Sequence, residues 1–358
     1  MALTAPVAPV APIAPALLAW HRVHGRQDLP WQHPREPYPV WLSEIMLQQT
    51  QVATVRDYFA RFMARFPSVH ALAAAPLDDV LALWSGLGYY SRARNLHRCA
   101  QTVVARWGGV FPRQAAQLQT LPGIGRSTAA AIAALCFGER VAILDGNVRR
   151  VLARYLALAH DLRATAPAQA LWQCATDLLP TEDLADTMPR YTQAIMDLGA
   201  TVCMPRKPAC PRCPLRAHCR AHALGTPEAF PVRAPRPLRP TESLWLLWAQ
   251  RTDGAVWLQQ RPASGIWAGL YVVPIFDAQT NLEKRWQLLK QEQSNAQRSD
   301  LCVMPHALTH KQLLLHPCQV TGLTAQAPLP TPGAWVAADQ WPRLGLPAPI
   351  RKLLMSGG

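Results

Sequence analysis

The sequence predicts a mainly helical first region joined by a stiff linker to a small α+β domain. Three observations carry that expectation. Between Ala16 and about Gly225, apolar residues recur at three- and four-residue spacing over 41–66, 76–84, 96–107 and 127–137, the period of a helix with one buried face. Residues 226–240 read Thr-Pro-Glu-Ala-Phe-Pro-Val-Arg-Ala-Pro-Arg-Pro-Leu-Arg-Pro, a composition that stays extended. After them come short apolar or aromatic runs separated by Asp-Gly or other Gly-containing turns, as strands require.

Taken in order, residues 1–15 are Ala/Pro-rich and lack both a cationic start and an unbroken apolar run. They read as a disordered tail, not a secretory signal. Within the helical region, 16–225, prolines at 67, 76, 112, 122, 167 and 180 divide the chain into helices of ordinary length. In the last domain, 241–358, strands are expected over 243–250, 255–261 and 270–276, a helix over 281–293, and further strands over 301–304 and 312–320.

The 358 residues carry a net charge of +14, with most of the excess before residue 240, so a polyanion is expected to dock on the helical region. No apolar run reaches membrane-spanning length. Nine cysteines without a secretory signal point to the cytosol, where clustered Cys bind metal more often than they pair.

Six patterns could carry chemistry. Leu121-Pro122-Gly123-Ile124-Gly125 is a tight turn opening an Ala-rich helix at Arg126-Ser127; such a start offers backbone N–H groups and a dipole to a phosphate. Asp145 follows in a turn, Asp145-Gly146-Asn147, at the start of another helix. Either motif alone also fits an ordinary αα-hairpin and an Asp N-cap. Glu44 sits among Trp41, Leu42, Ile45 and Met46, where lost solvation should raise its pKa as a general acid needs. Gln48 and Gln49 are uncharged amides able to reach base edges, though such a pair is also a plain polar helix face. Gly86-Leu87-Gly88-Tyr89-Tyr90-Ser91-Arg92 is a glycine-bounded turn with aromatics and cations suited to wedging between bases. Finally, Cys203-x6-Cys210-x2-Cys213-x5-Cys219 places four thiols within seventeen residues, enough to close one zinc ion or one iron–sulfur cluster. No lysine precedes Lys207, so the hairpin lacks the amine that a strand-cutting Schiff base would need. The C-terminal domain lacks an Arg-Glu-x-x-Glu-Glu helix for a diphosphate-bound Mg²⁺.

These residues together resemble the helix-hairpin-helix DNA glycosylases, and within them the adenine DNA glycosylases of the MutY family. The likeness spans 17–225, through Leu-Pro-Trp at 29–31, 40–52, 86–92, 121–125, 144–148 and the four-Cys spacing. It implies a six-helix barrel module and an iron–sulfur module holding a [4Fe–4S] cluster on the four cysteines. It also implies a monomer that acts on double-stranded DNA and excises adenine opposite 8-oxoguanine or guanine. By this resemblance Glu44 protonates the leaving adenine and helps activate water. Asp145, ionised by its helix start, stabilises the sugar cation, and Asn147 orients it. Tyr89 and Gln49 contact bases near the lesion, and Arg26, Trp31 and Gln48 line the adenine side. Gly123 and Gly125 seat the backbone, and Ser127 stands where strand-cutting relatives carry Lys, which implies base removal with at most feeble lyase activity. Gln260-Arg261-Pro262 and 265–271 resemble a Nudix-like domain that reads 8-oxoguanine, with Leu308-Thr309-His310 at the place of a Phe-Ser-His loop. The endonuclease III type of pyrimidine-damage glycosylase/lyase, a non-catalytic cluster-bearing DNA binder and a nucleotide diphosphatase are the rival readings. Ser127, the Glu44/Asp145 pair and the missing Glu helix count against them in turn.

Overall fold

The periodicity of the first region resolves into helices in a computed structural model that describes residues 11–232 and 238–356. In order these are α1 (Ala14–His24), α2 (Pro37–Leu47), α3 (Val52–Arg65), α4 (Val69–Ala74), α5 (Leu77–Trp84), α6 (Ser91–Trp107), α7 (Ala115–Leu118), α8 (Arg126–Phe137), α9 (Gly146–Leu156), α10 (Thr165–Asp177), α11 (Leu184–Thr201) and α12 (Arg220–Ala223). Proline acts as expected at most breaks: Pro76 caps α5, and Pro180 follows α10. Pro167 instead sits in the first turn of α10, where its missing N–H has no helical partner to lose.

The described residues divide into two compact units. The first runs to His70 and resumes from Arg98 to the linker. Here α11 packs on α1, α8 and α9, and α2 packs on α3 and α8. Alanines 129–131, 133 and 134 let α8 be buried nearly all round, because small side chains allow close helix approach. The tail is shorter than expected. Ile13 is buried, Ala14 begins α1, and the Ala11 carbonyl accepts the Tyr155 hydroxyl at 3.0 Å. Residues 1–10 lie outside the described residues.

The second unit holds Ala71–His97 and the chain after the linker. Its sheet runs β3-β2-β1-β7-β5, from β1 (Thr241–Arg251), β2 (Val256–Gln260), β3 (Tyr271–Val272), β5 (Gln297–Asp300) and β7 (Gln312–Leu323). Three short strands join it off that path: β4 (Ile275–Phe276) on β1, β6 (Met304–Ala307) on β7 and β8 (Ala334–Val336) on β2. The long central pair β1–β7 is parallel. Along β1, Leu246 and Trp248 join one core with Ile350 and Leu353 of α14 (Ala348–Met355). Leu247 and Ala249 join another with Leu282 and Leu289 of α13 (Gln279–Glu292). Both faces are therefore covered, which is why 243–250 reads as a nearly continuous apolar run.

Two strand expectations shift. The run 270–276 splits into β3 and β4 around Pro274, whose carbonyl accepts the Leu247 N–H at 2.9 Å while its nitrogen has no proton to give. Of the strand expected at 301–304, residues 301–303 are a connection and Met304 opens β6; pairing falls on either side, in β5 and β6.

Candidate active site

Glu44 occupies the middle of α2, flanked by fully or nearly buried Trp41, Leu42, Ile45 and Met46. The side chain itself is half-buried. Burial, and then the charge of Asp145, push its carboxyl up to about 7. Glu44 in turn helps to raise the Cys136 thiol on α8, which burial already lifts, while Arg35 acts in the opposite direction. The neighbouring Ser43 hydroxyl donates to the Val40 carbonyl at 2.8 Å.

Asp145 is the N-cap of α9, with its Oδ1 accepting the Val148 N–H at 2.7 Å. The helix start does favour the carboxylate, through the N–H groups of Val148 and Asn147 and through Arg150 and Arg149, but burial outweighs them and the net shift is upward. The sequence suggested the reverse, because an N-cap can be read from residue order and burial cannot. The Asn147 amide oxygen accepts from Arg150 Nη2 at 2.8 Å and its backbone N–H supports Asp145, so Asn147 joins the Asp145 turn to a side chain of α9.

The hairpin brings α7 and α8 together through turn bonds from Leu121 N–H to Leu118 O and from Ile124 N–H to Leu121 O. Gly123 has φ +75°, a conformation that costs a residue with a Cβ. Gly125 caps α8 without a side-chain bond, and a Cβ there would meet nothing within 4 Å. The first-turn N–H groups of α8 have no helical acceptors of their own. Ser127 faces inward: its Oγ accepts the Leu144 N–H at 3.0 Å. The residue in place of lysine thus ties the hairpin helix to the strand of chain that delivers Asp145.

The remaining expected residues fall in different settings. Gln48 bonds Thr128 Oγ1 at 3.4 Å, joining the end of α2 to the start of α8. Gln49 is exposed at φ +60°. Arg26 is committed to Asp197, donating from Nε at 2.8 Å and Nη2 at 2.6 Å. Trp31, expected beside the adenine, lies in the core, 5% exposed and edge-on to Phe59 at 5.2 Å. Tyr89 stands 46% exposed at φ +47° in the second unit. Thr309 and His310 are exposed at the turn between β6 and β7, closed by Leu308 N–H to Lys311 O at 2.9 Å. Leu308 packs against the sheet core, so it anchors this turn and offers no stacking face.

Cys203, Cys210, Cys213 and Cys219 line one pocket. Burial and the other three cysteines raise Cys213 to about 12, and burial with Cys203 and Cys210 raises Cys219. These are thiols whose ionisation needs a cationic centre among them. Arg154 Nη1 donates to the Cys203 sulfur at 3.3 Å, and backbone N–H groups of Leu215, Ala221 and His222 point at the Cys213 and Cys219 sulfurs. Among the described residues, no three His, Cys, Asp or Glu side chains form a single-ion site. Four thiols lining one pocket are a donor set that fits either a zinc ion or an iron–sulfur cluster.

Three buried groups escaped the sequence reading. Arg150 donates to Gly199 O at 2.7 Å and Cys203 O at 2.7 Å, and Arg154 to Met204 O at 2.7 Å and Pro205 O at 2.9 Å, so α9 holds the cysteine loop to its side. Asp197 is fully buried; burial alone would raise its carboxyl, yet His21 and Arg26 hold it below the ordinary value. The signal was present: cations four apart on the apolar face of α9, and a carboxylate among Ala194, Ile195 and Leu198. A carboxylate in that setting is the same pattern that singled out Glu44.

A helix-hairpin-helix beside two half-buried carboxylates, with a four-thiol loop on the same unit, defines a base-excision glycosylase of the helix-hairpin-helix class. Residues 42–174 match the family described as HhH-GPD superfamily base excision DNA repair protein, and 245–356 match the NUDIX domain. A thermostable thymine-DNA glycosylase superimposes with TM-score 0.53 at 28% identity, over 59% of this chain and 95% of that one. More particularly, the chain is 34% identical over 341 residues to the adenine DNA glycosylase of Buchnera aphidicola subsp. Acyrthosiphon pisum, covering 94% of this chain and 95% of that protein. It is 46% identical over 215 residues to the adenine DNA glycosylase of Homo sapiens, covering 58% of this chain and 38% of that one. The chain belongs to the adenine DNA glycosylase family.

Proposed function

We propose that this protein excises adenine mispaired with 8-oxoguanine or guanine in duplex DNA by hydrolysing the N-glycosidic bond, as a first step of base excision repair. The observation that carries the reading is Glu44, raised to about 7 by burial and by Asp145. At neutral pH a large share of such a carboxyl is protonated and can give its proton to a leaving base. The adenine first leaves the stack, at a cost of roughly a few kcal/mol that mispairing reduces. As the bond between C1′ and the base breaks, Glu44 protonates the adenine and Asp145, ionised, faces the sugar cation. Glu44, now a carboxylate, takes a proton from the water that adds to C1′. The Val148 N–H keeps Asp145 fixed for that task.

Base removal stops there. Strand cleavage needs an amine at the hairpin helix, and Ser127 presents a hydroxyl already accepting the Leu144 N–H. The four cysteines would hold a [4Fe–4S] cluster, which would supply the positive charge that keeps the thiols ionised and would order a loop carrying Arg206, Lys207, Arg212 and Arg216 against the DNA backbone. The exposed turn at Leu308-Thr309-His310 reads the opposite base, and Tyr89 wedges beside it. The protein works as a monomer on DNA in the cytoplasm or nucleoid; among the described residues no helix is long and apolar enough to cross a membrane.

The test is an end-labelled duplex carrying adenine opposite 8-oxoguanine, resolved on gels with and without hot alkali. Breaks on the adenine strand only after alkali are expected. Breaks without alkali would overturn the monofunctional assignment, and intact strands in both lanes would overturn the glycosylase. Iron and zinc analysis of the purified protein decides the metal: a colourless zinc protein refutes the cluster.

A further inference from the structure

Tyr89 sits in a turn built from several independent bonds. The Trp84 ring N–H donates to Gly88 O at 3.0 Å, and Arg92 Nη2 donates to Leu87 O at 3.0 Å and Gly88 O at 3.2 Å. The Arg92 guanidinium also lies 5.7 Å from the Tyr89 ring centroid. The wedge is therefore held rigidly while its ring stays exposed.

The turn is fastened to the chain after the linker. Tyr90, the next residue, gives its hydroxyl proton to Leu346 O at 2.7 Å, and Ser85 Oγ donates to the same carbonyl at 3.0 Å. Arg351 Nε donates to Ser85 Oγ at 3.0 Å. Four residues after Tyr90, in α6, Arg94 Nη1 donates to Ala268 O at 2.7 Å. The carbonyls of 268 and 346 belong to the C-terminal domain, more than 170 residues away along the chain. Leu346 is fully buried, and a Cβ on Gly345 would lie 2.8 Å from the Leu81 Cβ, so the backbone at Gly345 packs directly against α5.

The same segments lead to the base-reading turn. Trp267, next to Ala268, packs its ring 5.9 Å from that of His306 on β6, and β6 runs directly into Leu308-Thr309-His310. Trp267, Leu308, Leu344 and Leu346 share one apolar core. Packed cores of this kind transmit displacement because they cannot deform continuously.

We propose that Tyr90 and Arg94 are positioning residues that lock the Tyr89 wedge to the 308–310 turn, so that reading the opposite base and inserting the wedge are one mechanical event. This rests on the assignment of opposite-base reading to 308–310. Neither Tyr90 nor Arg94 touches the reacting atoms. Their removal changes which duplex is preferred, while the chemistry at Glu44 continues.

The experiment is a double-mutant cycle, since spatial continuity alone does not demonstrate coupling. Tyr90→Phe, Arg94→Met and Thr309→Ala are made singly, and each of the first two is combined with Thr309→Ala. Apparent affinity and single-turnover excision are measured on duplexes with adenine opposite 8-oxoguanine and opposite guanine. The wild type should prefer 8-oxoguanine, and Tyr90→Phe or Arg94→Met should cut that preference about three- to tenfold, the scale of one lost hydrogen bond. Excision at saturating enzyme should stay near the wild-type rate. In the double variants the losses should not multiply, because one device is already uncoupled. Losses that multiply, or an unchanged preference in both single variants, overturn the coupling while leaving the opposite-base reading in place. A wild type with no preference between the duplexes overturns that reading, and the coupling with it. Tyr90→Phe keeps the ring and loses only the hydroxyl, so it decides the matter if Arg94→Met lowers the Tm.

Discussion

In the helical unit the groups assigned to chemistry are withdrawn from water, whereas in the second unit the groups assigned to recognition stand out into it. Glu44 and Asp145 are both raised by burial. Tyr89, Thr309 and His310 are exposed, each at the tip of a turn held from beneath. The difference follows from what each task needs. Proton transfer at neutral pH calls for a carboxyl whose charged form is penalised. Reading a base calls for a rigid surface that a duplex can approach, since a mobile one would lose entropy on binding.

The sharpest way to break this comparison is to remove the buried acid. Glu44→Gln keeps the shape of the side chain and should lower single-turnover excision by about 10²–10⁴-fold, with duplex affinity in a gel-shift assay unchanged. Excision within tenfold of wild type would refute the acid role. Asp145→Asn is next. Asn still caps α9 but brings no charge to the sugar cation, so excision should fall about 10²–10³-fold, the scale for one electrostatic stabiliser, with an unchanged Tm. A matching loss of Tm would mean that Asp145 serves chiefly as a cap.

Tyr89→Ala tests the exposed side of the comparison. Binding should weaken by about 1–3 kcal/mol, the worth of one stacked ring, while the pH profile of excision keeps its wild-type shape. In both proteins the rate should fall as pH rises through about 7, because Glu44 must hold its proton to act. A profile moved by Tyr89→Ala would show that recognition and chemistry are not separable in this way. The smallest effect concerns stability. Glu44 binds its proton more tightly folded than unfolded, so the wild type loses stability as pH rises from the ordinary value of 4.5 to about 7. Glu44→Gln escapes that loss. Its Tm advantage should grow across this window and level off above it, and an advantage independent of pH would argue against the raised carboxyl.

Much of the fold was legible in the sequence because helix period, proline breaks and glycine turns are local signals. What stayed hidden depends on distant partners. Nothing between 71 and 97 announces that these residues pack with the chain after the linker, since that is decided by Leu346, Ala268 and Arg351. The expected strand at 301–304 falls mostly between two strands because pairing with β7 is fixed by its register, to which the apolar Leu301 and Val303 gave no clue. At the site, Glu44 was readable because its apolar neighbours adjoin it in sequence. The upward shift of Asp145 was not, because the residues that bury it come from elsewhere. Trp31 shows the same limit: a Trp near a functional motif looks alike whether it faces a ligand or Phe59.

One contact in the helical unit sets a clearance. Gly199 of α11 lies so close to the Asp145 turn that a Cβ on it would sit 2.7 Å from the Asn147 Cβ. The spacing between those two backbones is thus a machined tolerance with no slack, and a single methyl group would act as a shim. Gly199→Ala would add no charge, remove no hydrogen-bonding side chain and touch no reacting atom. It would still push the turn that carries Asp145 outward by a few tenths of an ångström. Since misplacement by about 1 Å can cost on the order of 10²-fold in rate, this position gauges how finely the sugar cation and its carboxylate must be aligned.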